Sequence, residues 1–155
     1  EHGDYPAGTY LRNPPGSAHT PYSASGCLLF VKLRQFAPDD LASVRIDTHD
    51  TTRWQVGNSP GLSSLLLHSH AGVRTLLLRS APHTWYDMHS HPGGEEVLVL
   101  DGVLRDDMGC YPRYSWIRSP CWSRHAPHTD GESALAYVKL GHLGPAHDAG
   151  QAADT

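Results

Sequence analysis

His89-Ser90-His91-Pro92-Gly93-Gly94-Glu95-Glu96-Val97-Leu98-Val99-Leu100-Asp101-Gly102 is the stretch on which the reading of this chain turns. Residues i and i+2 of an extended strand project from one face, so His89 and His91 point together and Ser90 points away. The Pro-Gly-Gly turn lets the chain double back and sets Glu95 beside the two imidazoles. Val97 and Val99 continue the inward face, and Asp101-Gly102 is expected to close a hairpin. Two neutral imidazoles and a carboxylate suit a borderline divalent cation such as Zn, Fe, Mn or Ni. His125 is the candidate fourth ligand, brought from a distant strand as a closed sheet would bring it. An H-x-H pair alone is often a surface feature. Here Glu95 and the spaced Pro120 and His125 supply the other ligand types at the required offsets.

Outward from this stretch the sequence has a strand rhythm. Short apolar or alternating runs at 64–68, 74–80, 85–91, 96–100, 115–118 and 134–139 are separated by Gly-, Pro- or Asp-bearing turns such as Ser59-Pro60-Gly61 and Asp130-Gly131. With 39% hydrophobic and 18% charged residues, 15 Gly and 12 Pro, the 155-residue chain reads as a turn-rich all-β protein with little room for long helices. A net charge of −4 with His neutral gives no broad basic face for nucleic acid. The longest apolar runs, such as 65–67 and 97–100, are far too short to span a membrane. Cys27, Cys110 and Cys121 are odd in number and lack C-x-x-C spacing, which speaks against a disulfide framework or a Cys-based zinc site and fits a reducing cytoplasm. Twelve histidines are more than a chain of this length needs, and metal ligation is the commonest physical reason for many imidazoles.

The chain also repeats itself. Residues 2–19 align without gaps on 108–125, with identities at Gly3/Gly109, Tyr5/Tyr111, Pro6/Pro112, Arg12/Arg118, Pro14/Pro120, Ser17/Ser123 and His19/His125. After a one-residue slip, Phe30-Val31-Lys32-Leu33 matches Tyr137-Val138-Lys139-Leu140. About fifty strand-like residues precede the second copy and none the first, so the expectation is a truncated half-repeat at 1–36, a linker at 37–52, a complete domain at 53–143 and a disordered tail at 144–155. His19 occupies a ligand position without its partners and is expected to be an orphan. A half-repeat with unpaired strand edges is expected to associate as a homodimer.

Three other signals admit a functional reading. His68-Ser69-His70 has Arg74 where a carboxylate would be needed, and Ala71-Gly72 follows like a hairpin turn, so it reads as a loop. Gly57-Asn58-Ser59-Pro60-Gly61 fits the nucleophile-elbow pattern, but Pro60 follows the serine directly and a strand-like run follows where a helix is required, so it reads as a turn. Trp85, Tyr86, Tyr114, Trp116 and Trp122 are candidates for an aromatic pocket over the metal, with ordinary sheet-face packing as the alternative.

These residues resemble the cupin superfamily, whose motifs run G-x5-H-x-H-x3,4-E-x6-G and G-x5-P-x-G-x2-H. His89, His91, Glu95 and Gly102 match the first, with His83 in place of its opening glycine. Gly8, Pro14, Gly16 and His19 meet the second in the first copy. In the second copy Pro120 and His125 match, while Tyr114 and Trp122 replace both glycines, which implies an altered turn and a narrower mouth. The phrases HPGGEEVLVLDG, DYPAGTYLRNPPGSAH and FVKL are similar, more narrowly, to ChrR-type cupin domains, over roughly 1–36 and 53–143. The resemblance implies a double-stranded β-helix, a jelly-roll barrel, in a bacterial cytoplasmic protein. It implies a regulatory or sensory metal module, zinc-dependent and without the sigma-binding segment, so this chain alone is not expected to hold a sigma factor. The alternative is a small cupin metalloenzyme, an Fe-, Mn- or Zn-dependent dioxygenase or isomerase acting on a small molecule in the barrel.

Overall fold

The computed structural model describes residues 3–144, and the chain divides into two compact units, Glu1–Asp50 and Thr51–Thr155. Both are built from antiparallel strands, with a single 3-10 turn at Thr51–Arg53 as the helical element among the described residues. The tail expected at 144–155 lies, apart from its first residue, outside them.

In the first unit β1 (Thr9–Arg12) pairs antiparallel with β2 (Val44–Asp47), Tyr10 lying opposite Ile46. β2 thus falls within the polar stretch read from sequence as linker. Arg12 anchors this ribbon from a buried position: its guanidinium pairs with Asp40, donates to Ala42 O at 2.7 Å and stacks over the Phe36 ring at 3.8 Å. A buried cation needs such full partnering, because removing one partner strands an unsatisfied charge.

The second unit carries a seven-stranded sheet in the order β3 (Gln55–Val56), β4 (Leu62–His70), β5 (Val73–Ser80), β11 (Ala134–Leu140), β7 (Glu95–Asp106), β8 (Gly109–Pro112), with β9 (Trp116–Ser119) also paired to β7. A second, two-stranded sheet joins β6 (His89–Ser90) to β10 (Arg124–His125). The β4–β5 hairpin closes on Ala71 and Gly72, both with positive φ (45° and 83°), as a two-residue turn matching strand twist demands. His68, Ser69 and His70 are therefore not a loop: β4 runs through them to the turn. Ser59-Pro60-Gly61 is a turn, with Leu62 N–H donating to Ser59 O at 3.1 Å and Gly61 at φ 83°.

Two strands differ from the sequence reading for physical reasons. The run at 85–91 yields only the short β6 and one bridge between Trp85 and His128, because His83 at φ 59° and the segment after it bend the backbone out of pairing. Asp101-Gly102 closes no hairpin. β7 continues through it to Asp106, and Leu100 bulges out of register between the Leu135/Asp101 and Ala136/Val99 pairs. The true hairpin lies at Asp106, whose carboxylate accepts from Met108 N–H and Gly109 N–H at 2.8 and 3.0 Å and from the Tyr111 hydroxyl at 2.8 Å.

The inward faces of β5, β7 and β11 supply the core: Leu76, Val97, Val99, Leu104, Ala134, Ala136 and Val138. Each large side chain buried there contributes roughly 1.5–3 kcal/mol relative to exposure. This packing fixes the alternation of β7 and so fixes which way Glu95 faces.

Candidate metal centre

The pairing of β6 with β10 sets His125 directly across from His89. His91 follows β6, and its carbonyl accepts two backbone N–H groups, from Gly94 and from Trp122, each at 3.0 Å. The first closes the Pro92-Gly93-Gly94 turn, and the second ties that turn to the segment leading into β10. Gly93 is required here, since a Cβ would sit 2.5 Å from Gly141 Cα. The turn delivers Glu95 at the start of β7 with its side chain toward the same spot.

The donor atoms of His89, His91 and His125 lie within 4.8 Å of one another, and this is the one group of three or more candidate ligands among the described residues. Nε2 of His89 and His125 are 3.0 Å apart. Glu95 approaches from the side, Oε1 at 3.6 Å from His91 Nε2 and Oε2 at 3.5 Å from His125 Nε2. Ligands bound at about 2.1 Å to one ion stand about 3.0 to 3.4 Å apart, so these separations are close to those of a ligand set. His89 Nδ1 lies 2.7 Å from Asp87 O; donation from Nδ1 fixes the tautomer and leaves the Nε2 lone pair aimed inward.

The electrostatics fit the same use. Burial lowers the His91 pKa, helped by His89. Burial, with repulsion from His89 and His91, lowers His125 to about 4, so both are neutral ligands near pH 7. Burial alone pushes Glu95 up to about 7. His91 Nε2 and Glu95 Oε2 are buried and have no hydrogen-bond partner. Such orphans are costly unless something binds them, and a cation satisfies both at once. The residues present therefore fit a divalent ion.

The four predicted ligands come together, and the other candidates do not join them. His19 is exposed, and His68 and His70 lie on β4, in no ligand group. A cavity of about 430 Å³ opens beside the four, floored by Leu66, Leu76, Leu78 and Val97. Of the five aromatics only Tyr86 lines it, its hydroxyl 2.7 Å from the Ser80 hydroxyl; burial raises the Tyr86 pKa, as does the nearby Glu95, while the Ser80 contact opposes both. Trp85 stacks on His128 at the surface, 4.2 Å between ring centroids, and Tyr114, Trp116 and Trp122 are exposed. Of the aromatic pocket expected over the metal only Tyr86 remains, and Tyr111, which was not a candidate, lines the cavity with it.

The turns at Tyr114 and Trp122 are not altered either. They keep positive φ, 71° and 65°, beside 84° at Gly8 and 86° at Gly16 in the first copy. Ser123 also bonds back to Pro120 O through its hydroxyl at 2.7 Å, as Ser17 does to Pro14 O. Both aromatic side chains are exposed and neither lines the cavity. Sequence reasoning overlooked Arg74 as a cavity residue. Its only role in that reading is to stand where a second H-x-H site would need a carboxylate, although its parity with Leu76 and Leu78 on β5 puts it on the cavity-facing side.

Barrel-forming strands that gather imidazoles and a carboxylate at one end define a cupin. The sequence matches the ChrR cupin-like domain family over residues 1–37 and 42–144, and the chain belongs to that family. No curated protein matches the sequence. Among solved structures it is similar in fold to Rhodobacter sphaeroides SigE in complex with the anti-sigma ChrR (21% identity, TM-score 0.51, covering 57% of this chain and 48% of that one). It is similar to an acetylacetone dioxygenase from Acinetobacter johnsonii (14%, TM-score 0.54, 79% and 80%). It is also similar to an RmlC-like cupin from Ralstonia eutropha (17%, TM-score 0.52, 56% and 61%). The chain spans about half the length of the matched chain of the SigE–ChrR complex. Among the described residues no helix is long and apolar enough to cross a membrane.

Proposed function

We propose that His89, His91, Glu95 and His125 together hold one divalent ion and that the protein is a sensory metal module of the ChrR kind. Zinc is the expected metal; Fe, Mn and Ni are the other ions this donor set accepts. The observation that carries the reading is the pair of buried orphan atoms, His91 Nε2 and Glu95 Oε2, beside the facing Nε2 atoms of His89 and His125. Bound there, the ion would act as a Lewis acid toward a small ligand in the adjoining cavity. The protein's own contribution is to keep the imidazoles neutral, fix the His89 tautomer through Asp87 and keep an apolar wall on the far side. The cavity itself favours a second reading, a small metalloenzyme, since a purely structural ion has no use for an adjoining space of about 430 Å³.

Elemental analysis of the purified protein, with a His89→Ala/His91→Ala variant beside it, tests this. Near-stoichiometric metal that the variant loses is the expected result. Zinc without turnover supports the sensory role, and iron or manganese with oxygen uptake supports the enzyme. Failure of the wild type to load any divalent ion overturns both. We also expect a homodimer, because Leu28, Leu29, Val31 and Leu33 are exposed in the first unit. A monomeric mass by light scattering at working concentration would refute it. Free Cys27, Cys110 and Cys121 are consistent with a cytoplasmic setting.

A further inference from the structure

The sheet places one cation on the same inward row as the candidate ligand Glu95. Arg74 on β5 lies opposite Leu140 on β11, Leu140 lies opposite Glu95 on β7, and Glu95 lies opposite Ser119 on β9. All four line the same cavity, which confirms the face they share. Two strand spacings separate the α-carbons of Arg74 and Glu95, about 10 Å, and a guanidinium spans more than half of that from its own backbone.

The cavity lining carries three formal charges: Arg74, Glu95 and Asp106. Asp106 accepts three hydrogen bonds on its Oδ1, from two backbone N–H groups and the Tyr111 hydroxyl. Glu95 faces the imidazoles. The Arg74 side chain has no hydrogen bond or ion pair among the described residues. Arg74 is an exposed residue of this lining, beside apolar walls at Leu66, Leu76 and Leu78, and no protein anion is assigned to its fork of donors.

We propose that Arg74 is the anion-binding residue of this cavity and that its ligand is a small organic carboxylate with a short apolar body. The carboxylate would sit on the guanidinium in two parallel N–H···O bonds, the geometry for which arginine is suited. The other end, bearing an oxygen donor, reaches the His89/His91/His125 centre, and this second contact rests on the metal reading given above. The apolar floor takes the alkyl part. A bare inorganic anion would leave that floor uncovered, and a neutral diketone of the same size would leave Arg74 unpaired.

The test is calorimetric titration of the zinc-loaded full chain with 4-oxopentanoate and with hexane-2,5-dione, which replaces the carboxylate by an uncharged acetyl group. The expected result is binding of the acid at least about tenfold tighter than of the dione, as loss of a charge-assisted bidentate pair implies. Arg74→Gln should remove that preference with its zinc content unchanged, and Arg74→Lys should restore part of it. Equal affinity for acid and dione overturns the proposal without any variant. So does an undiminished preference in Arg74→Gln, failure of the zinc-loaded wild type to bind the acid, or displacement of the acid by inorganic phosphate at comparable concentration. Repeating the titration on metal-free protein separates the two readings. A preference that persists without zinc and vanishes in Arg74→Gln keeps the arginine assignment while removing the metal from it.

Discussion

At Glu95 burial and chemistry pull in opposite directions. Desolvation holds its carboxyl at about 7 in the metal-free protein, against 4.5 in the unfolded chain. The folded state therefore favours the protonated form. The stability this gives is fully present below the unfolded value and is lost as pH rises through 7, a loss on the order of 3 kcal/mol. His125 works in the other sense: its pKa, lowered to about 4, makes a contribution that is present above 6.5 and lost as pH falls through 4. Between pH 6 and pH 8 the histidine contribution rises while that of Glu95 falls, so the metal-free Glu95→Gln variant isolates the carboxyl: it should gain stability relative to the wild type as pH goes from 6 to 8. It should also weaken zinc binding at least about tenfold, because the ion binds the deprotonated carboxylate. Thermal unfolding of both proteins at the two pH values, without zinc, decides it; a difference between wild type and variant that does not change with pH would sink the burial argument. The convergence of His89, His91 and Glu95 was legible because period-2 alternation and one glycine turn fix it locally, whereas His125, 36 residues from His89, was legible only through its spacing from Pro120. Arg74 was not, because its relation to Glu95 passes through Leu140, and cross-strand register over two strands is invisible in a one-dimensional pattern.

Strand β7 shows what the sequence could and could not disclose about elements. Its apolar alternation from Val97 to Val99 was readable, and so was the special role of Gly102. The reading that Gly102 ends the strand was wrong, because an aspartate-glycine pair is equally at home in a bulge. At φ 70°, with Ser133 O 1.8 Å from where a Cβ would lie, Gly102 lets the start of β11 lie close against β7 beside the bulge. Gly102→Ala combines backbone strain with a clash against main chain that cannot swing aside. It is expected to cost about 3 kcal/mol or more, read as a fall in urea midpoint with unchanged slope. Trp122 presents the converse case: a bulky residue at φ 65°, exposed, where the first copy has Gly16 at 86°. Trp122→Gly relieves a left-handed penalty of roughly 1 kcal/mol while removing few contacts, so it should leave stability unchanged or raise it. A loss greater than that penalty in the same urea titration would mean that the indole packs on something its exposure hides.

At the scale of the molecule, the candidate ligands are shared among β6, the turn that follows it, the start of β7, and the distant β10. β6 and β10 are two residues each, and each is paired only with the other as a strand. So short a ribbon has little stability of its own and should open locally in the metal-free protein. A bound ion ties both its strands to Glu95 on the long, core-packed β7, and by linkage it stabilises every state in which the three stay together. Amide hydrogen exchange should therefore show zinc-dependent protection concentrated at 89–95 and 122–125. β1 and β2 in the first unit carry none of these ligands and should exchange at the same rate with or without zinc. Exchange slowed to the same degree in both units would place the metal's main effect outside this centre. Slowing confined to β6, β10 and the start of β7 is what coordination by His89, His91, Glu95 and His125 requires.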